Sequence, residues 1–402
     1  MIRRAIQTIS LLSVALAACN DPVKPGDDGP WQAVQLDDRF VHGYTDFGFE
    51  LFRAVASESP DANVFVSPTS AAFALAMTYN GAREETAEAM ARVLGVQDLG
   101  RDAVNENNLR WLESLVTTGN AVDLAIANSL WIRNGFPVEP AFIERNRSFY
   151  RATVKELDFS SPVAVPTINA WVSEHTRGRI PTIVNSIPGN VQLYLINALF
   201  FRADWAEPFD PRRTSDAQFR RPDGSTTIVP MMRDDRSARV AWADGFSAVE
   251  LPYGNGRFSM VLMLPDDGRR LADVAAPLDA ERWASLLDSF REQRVMLEVP
   301  RMKLDWESSL NSALMGMGMG LAFGHGPHDF TALSPANPWI GEVRQKTHLE
   351  VDEEGTTAAA VTSVAMPTSM PPMLRFDRPF LLAIHDHATR TILFLGQITD
   401  PI

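Results

Sequence analysis

The 402-residue sequence predicts a single α+β domain preceded by a short leader. Three observations carry this. Apolar residues recur at helical spacing in some segments, and β-branched or aromatic runs fill others. No stretch after residue 37 reads as a linker, and no internal repeat is evident. Hydrophobic residues make up 45% and charged residues 22%, a soluble globular balance.

Asp37–Glu58 opens the domain as a helix with Phe40, Tyr44, Phe47, Leu51 and Val55 on one face. Asn63–Val66 is a short β-type run. Ser67-Pro68 then offers an N-cap and a proline at the first helical position. The following Ala71–Tyr79 is nearly all apolar, so this helix is buried on most faces, and Asn80-Gly81 stops it. Further helices are predicted over Arg83–Leu94 and Asn105–Thr117. Ala121–Arg133 has β character, Pro137–Tyr150 is helical, and Thr153–Phe159 returns to strand. Pro166–Arg177 is a helix with Ile168, Trp171 and Val172 on one face.

Val191–Trp205 exceeds a typical strand of about five or six residues. It is apolar almost throughout, as a central strand covered on both faces would be. Phe219–Met232, Ala238–Pro252 and Phe258–Leu264 are predicted strands, joined by turns at Asp223-Gly224, Gly254-Asn255-Gly256 and Pro265-Asp266-Asp267-Gly268. Leu271–Arg294 is predicted helical, Val295–Leu304 a strand, Trp306–Gly316 a helix and Trp339–Val351 a strand. Leu374–Pro401 gives two more strands, split by a turn around Asp386–Thr391.

The leader is distinct. Met1-Ile2-Arg3-Arg4 is a positive start, Ile9–Ala18 is a short apolar run, and Leu16-Ala17-Ala18-Cys19 closes it. Residues 1–18 therefore have the layout of a secretory signal peptide, whose apolar run is too short to span a bilayer as a mature helix. Leu-Ala-Ala-Cys also resembles a bacterial lipobox. That resemblance implies export across the inner membrane and lipidation of Cys19. The membrane would then be a partner through the lipid, at the cell envelope, with release as an extracellular protein the other outcome. Residues 19–36, rich in Pro, Gly and Asp, read as a flexible tether, and residues 37–402 as the domain. Cys19 is the only cysteine, so no intrachain disulfide can form. The net charge of −13 argues against a nucleic-acid partner and against a polybasic membrane patch.

The most unusual stretch is Glu353–Pro372. Its first half, from Gly355 through Thr362, is small or β-branched and uncharged. Its second half holds Pro367, Pro371 and Pro372, which cannot donate to a ladder. The first half can enter a sheet and the second cannot. Thr356–Ser369 would span about 46 Å at roughly 3.3 Å per residue, a full sheet length. Thr356, Ala358, Ala360, Thr362 and Val364 would share one face, and none requires a charge to be desolvated. Gly355 suits a pivot.

From Asp37 to Ile402 the chain resembles the serpin family. The motifs, in the family's order, are NVFVSPTSAAFALAMTYNGAREETAEAM, NSLWI, INAWVSEHTRGRI, LINALFFRADWAEPFD, VELPYG, FTALSP, VDEEGTTAAAVT, FDRPFLLAI and ILFLGQITDP. The resemblance implies an α+β serpin fold. It would have a large mixed or antiparallel main sheet, smaller sheets, about eight to nine helices and an exposed reactive loop. It implies an inhibitor rather than an enzyme, expected to be a monomer without cofactors. A target serine protease, or in some members a cysteine protease, cleaves the loop and forms an acyl-enzyme. The freed loop then adds a strand to the main sheet, a recognition mode of which serpins are a standing example.

Position by position, the resemblance implies a hinge at Glu353, Gly355, Thr356, Thr357, Ala358, Ala359 and Ala360. It implies a polar shutter at Ser67, Ser70, Asn197 and Gln345, where glutamine replaces the usual histidine and removes any pH dependence. A breach follows at Trp205, Arg301 and Glu353, with Arg301 and Glu353 paired to hold the hinge closed. Taken singly, these residues also suit ordinary core packing and a strand-end ion pair. Counting forward from the hinge puts the reactive bond at Ser369–Met370; counting back from Pro371-Pro372 puts it at Thr368–Ser369. Hinge-to-bond length must match the sheet, which favours Ser369–Met370, with Met366 and Met370 as other bait residues. None of these is Arg or Lys, so elastase-, subtilisin- or chymotrypsin-like targets are expected rather than trypsin-like ones.

Other signals are weaker. His385-Asp386-His387 looks metal-like but reads as a solvated turn, as do His325 and His328, so no metal is expected. Gly316-Met317-Gly318-Met319-Gly320 lacks dinucleotide-loop spacing. No Gly-x-Ser-x-Gly or Ser-x-x-Lys occurs, so no catalytic residues are assigned. Arginines over Arg83–Leu115 are scattered among acids, so no heparin site is expected. A non-inhibitory serpin, acting as a binding or carrier module, is the alternative; such members often carry bulky, charged or proline residues in the hinge.

Overall fold

The computed structural model describes residues 30–116, 122–354 and 371–402. The expected signal peptide, Cys19, the hinge positions Gly355 to Ala360 and both candidate reactive bonds (Thr368, Ser369, Met370) lie outside the described residues.

Helix α1 (Asp38–Glu58) is capped by Asp37, whose side chain accepts from Arg39 N. Strand β1 (Val64–Val66) leads into α2 (Pro68–Tyr79), where Ser67 caps and Pro68 occupies the first turn. Only Ala74 of α2 is not fully buried, as its all-round apolar sequence requires. Then come α3 (Glu84–Val93), α4 (Arg101–Val116), β2 (Val122–Arg133), α5 (Pro140–Tyr150), β3 (Thr153–Leu157) and α6 (Ala164–His175). Strands β4 (Leu193–Ala203), β5 (Ser215–Arg220), β6 (Thr226–Ala243), β7 (Phe246–Tyr253) and β8 (Phe258–Pro265) follow. The chain continues through α7 (Leu271–Ala275), α8 (Ala280–Ser289), β9 (Arg291–Pro300), β10 (Met302–Ser309) and α9 (Asn311–Leu314). It closes with β11 (Arg344–Val351), β12 (Met373–Arg375), β13 (Phe380–Asp386) and β14 (Thr391–Ile398).

Among the described residues the largest sheet has nine strands in the order β1-β14-β13-β8-β7-β6-β9-β12, with β5 beside β6. It is mixed: β12 runs parallel to β9, and the other pairs are antiparallel. A three-stranded sheet has the order β3-β2-β4, and β10-β11 form a two-stranded one. A hydrophobic core spans most of the helices and the large sheet. A second core under α6 gathers Trp131, Ile168, Trp171 and Ile196.

Three expectations need correction. Residues 191–205 do not form a central strand: β4 is an edge of the three-stranded sheet, and Leu193, Tyr194 and Leu195 are only half-buried. Its apolar sequence fits a site that is flanked rather than filled. Residues 271–294 are not one helix. Pro277 cannot continue α7, Asp279 caps a new helix by accepting from Arg282 N, and Arg291 already begins β9. Residues 306–309 belong to β10, because Trp306 to Ser309 pair with Thr347 to Arg344. The register across the strands overrides a locally helix-like pattern.

Candidate functional site

Strands β4 and β11 lie side by side, with Cα atoms within 8 Å, but form no ladder with each other. Among the described residues β4 pairs only with β2, and β11 only with β10. Helix α2 packs beneath β4. A cavity of about 770 Å³ opens between the first halves of the two strands, lined by Leu193, Asn197, Arg344 and Gln345 with Ser70 and Ala74 of α2. Beyond their far ends, Trp205 Nε1 donates to Asp352 O at 2.9 Å. Both strands therefore begin at the cavity and finish beside Trp205, so they run in the same direction. A segment leaving Asp352 and folding back between them would be antiparallel to both.

That fit has a geometric requirement. Neighbouring strands sit about 4.8 Å apart, so an intervening strand needs roughly 9.6 Å between its flanks. Where the Cα atoms of β4 and β11 approach within 8 Å, the two half-sheets must part. The polar groups under the gap decide what resists that movement.

Gln345 sits at the start of β11 and clamps the N-terminus of α2. Its Oε1 accepts from Ser67 N at 2.8 Å, and its Nε2 donates to Ser67 O at 2.8 Å. Ser67 Oγ donates to Leu393 O at 2.8 Å and accepts from Ser70 N at 3.1 Å. Thr69 reaches Ile392 O at 2.8 Å, and Thr347 reaches Phe65 O. Ser67, Ser70 and Gln345 thus form one connected group. Asn197 does not join it: its Nδ2 donates to Asn128 Oδ1 at 2.7 Å across β2 and β4. The buried Asn197 Oδ1 has no hydrogen-bond partner among the described residues. A side chain aimed along its own sheet cannot also reach across the gap.

At the other end Glu353 is 3% exposed. Arg301 Nε lies 2.9 and 2.8 Å from its two carboxylate oxygens, and Arg301 Nη2 lies 2.7 Å from Oε2. Thr214 Oγ1 also donates to it, and Phe209 N donates to Glu353 O at 2.9 Å. Burial opposes ionisation of Glu353, but the hydrogen bonds from Arg301 and Thr214 outweigh it and hold the carboxyl below its usual range. Asp352 is pushed the other way, first by burial and then by the neighbouring carboxylates Glu354, Glu353 and Glu350. Trp205 stacks on Tyr253, with ring centroids 4.4 Å apart.

Trp205, Arg301 and Glu353 are therefore brought together, as are Ser67, Ser70 and Gln345. Sequence reasoning missed Thr214, Thr69, Thr347 and Asn128, which carry no local signal: each acts through a partner far along the chain. It also misplaced His385-Asp386-His387. His385 and Asp386 are 1% and 0% exposed, and Asp386 accepts from Arg257 Nε and Nη2 at 2.9 Å each. The end of β13 is interior, not a solvated turn.

The family profile described as "Serpin (serine protease inhibitor)" matches residues 42–401. An uncharacterized serpin-like protein of Thermococcus kodakarensis is 34% identical over 397 residues, covering 95% of this chain and 88% of that one. The leukocyte elastase inhibitor of Xenopus tropicalis is 33% identical over 374 residues, 89% of this chain and 98% of its own. Among solved structures, the thermophilic serpin tengpin in its native state superposes with a TM-score of 0.83 at 30% identity, over 92% of this chain and 97% of that one. The chain belongs to the serpin family, whose fold it has and whose members include serine protease inhibitors rather than enzymes.

Proposed function

We propose that this serpin is an inhibitory one: a serine protease cuts its loop after Ser369, becomes acylated there, and is trapped as Thr356–Ser369 enters between β4 and β11. The observation that carries this is the gap itself, two same-direction strands that share no ladder, over a cavity of about 770 Å³.

The loop's two anchors explain why cutting must come first. Glu353 is fixed by Arg301 at one end. At the other, Pro372 O accepts from Met296 N at 2.9 Å, and β12 pairs with β9. Met296 lies five residues before Arg301, at most about 17 Å of extended chain. Pro372 therefore stays near the breach, whereas Leu193–Ala203 is about 36 Å long at roughly 3.3 Å per residue. An intact loop cannot carry residue 369 to the far end of that gap while Pro372 is pinned. Cleavage removes the constraint, and the small residues from Gly355 through Thr362 then carry no charge to be desolvated.

The bait region lacks Arg and Lys, and relatives include an elastase inhibitor, which supports targets that accept small or medium apolar residues. Incubation with elastase-, subtilisin- and chymotrypsin-like enzymes tests this. An SDS-resistant complex and a released fragment starting at Met370 are expected; a fragment starting at Ser369 shifts the bond by one residue. Cleavage without any complex sinks inhibition in favour of a binding role. Lipid attachment at Cys19, which would hold the inhibitor at the cell envelope, belongs to the same proposal. Fatty-acid labelling that survives Cys19→Ala contradicts it.

A further inference from the structure

Away from the gap, three side chains converge on one point. Glu250 lies in β7, His385 near the end of β13, and His387 just after it. Register explains the meeting. His385 pairs with Ser259 of β8, and Ser259 pairs with Pro252 of β7, so these positions share a face of the large sheet. Glu250, two residues before Pro252, is on that face too. The His-x-His spacing brings His387 alongside His385, and His387 N is fixed by Arg257 O at 2.8 Å.

Glu250 Oε1 lies 3.2 Å from His385 Nε2 and 2.8 Å from His387 Nε2. One donor atom from each of the three falls within 4.8 Å of the others. Ligands at about 2.0–2.1 Å around a tetrahedral ion stand roughly 3.3 Å apart, so a small outward movement suffices. Glu250 is 2% exposed, yet its Oε2 accepts no hydrogen bond. Arg239 Nη1 is 2.7 Å from Oε2 but outside hydrogen-bond geometry, so it balances charge without satisfying that lone pair. Ser259 Oγ stands 3.0 Å from His387 Nε2. Trp283 meets His385 edge-on at 5.7 Å, and Trp31 stacks on His387 at 6.0 Å, so packing fixes both rings. Glu250 and His387 also line a cavity of about 400 Å³, which leaves room for water on the open side.

We propose that Glu250, His385 and His387 form a divalent-metal site of the zinc class, with the fourth position open to this cavity. Two imidazoles and one carboxylate are the donors that zinc takes in three-ligand sites. On binding, each imidazole coordinates through a proton-free Nε2 and carries its single proton on Nδ1: a ring protonated at both nitrogens releases the Nε2 proton to solvent, and a neutral ring protonated at Nε2 exchanges that proton with solvent for one on Nδ1. The ion would tie β7 to β13 across β8 and draw in the chain at Trp31. It would stabilise the large sheet, and it does not depend on how the reactive loop works.

The test uses untagged protein stripped with a chelator. Zinc is titrated by calorimetry, and cobalt(II) by visible absorption and by quenching of tryptophan fluorescence, which Trp31 reports. One ion per chain, tetrahedral-type cobalt bands and a rise in melting temperature with zinc are expected. His387→Ala, at a partly exposed position, weakens binding more than about tenfold, and Glu250→Gln does the same while preserving shape. Both are compared only where circular dichroism matches that of the parent. His348→Ala, on β11, leaves binding unchanged and controls for stray surface histidine. No stoichiometric binding, or unaltered affinity in the folded His387 and Glu250 variants, overturns the site.

Discussion

Glu353 is buried, yet the Arg301 side chain that neutralises it is 45% exposed, so the pair is stronger than a surface bridge and weaker than a fully interior one. Arg301→Met should therefore cost about 1–2 kcal/mol, read as a lower urea midpoint at unchanged slope. The pH dependence of that loss identifies the partner. Because Glu353 titrates below its ordinary value of 4.5, its contribution is complete above that pH and disappears as pH falls through the lower folded value. Asp352 titrates above its ordinary value and works in the opposite sense, being lost as pH rises through its folded value. The difference between parent and Arg301→Met isolates Glu353: flat near neutrality, shrinking in acid. A difference that grows in acid contradicts the pairing. Within the loop, Thr356→Arg places a charge where the entering strand must be desolvated. It should turn inhibitor into substrate, seen as turnover of cleaved protein in place of complex; complex formation at the parental rate rules out insertion through the hinge.

At the scale of elements, α2 matters most because it lies under the gap and ties it to the rest of the fold. Ser67 caps the helix, reaches Leu393 O and exchanges two hydrogen bonds with Gln345 through its backbone. Ser67→Ala deletes the cap and leaves Leu393 O short of a donor in the interior. A loss of about 1–3 kcal/mol is expected, measured as a lower melting temperature. An unchanged melting temperature means the cluster does not hold the half-sheets. This helix was legible from its sequence, since Ser67-Pro68 and an all-round apolar run admit few alternatives. The gap beside it was not. Val191–Trp205 announces a buried strand, but whether its neighbour is present depends on pairing with residues about 150 positions away, and nothing local encodes that. The same non-locality turned Trp306–Ser309 from an expected helix into strand. In contrast, the break at Pro277 had a local signal, a proline followed by an Asp cap, that the longer helical pattern overrode.

For the whole molecule, the ordered motifs from Asp37 to Ile402 made the family legible, and the matched range of 42–401 agrees with them. The proximity of Trp205, Arg301 and Glu353 was readable because they are large or charged groups in fixed motif contexts. Asn197 was readable in identity but not in partner, since its amide could face either half-sheet and the structure turns it to Asn128. His385 and Asp386 at the end of β13 were misread for a related reason: a polar pair beside a turn looks solvated until sheet register places it inside. What joins these scales is a single claim, that the gap between β4 and β11 receives the cut loop. Hydrogen exchange on Leu193–Ala203 and Arg344–Val351, before and after proteolytic cleavage within residues 355–370, tests it most directly. The account predicts that amides on the facing edges of both strands slow by at least about a hundredfold after cleavage, as new ladders form, with a higher melting temperature. Unchanged exchange on both strands in fully cleaved protein would contradict it.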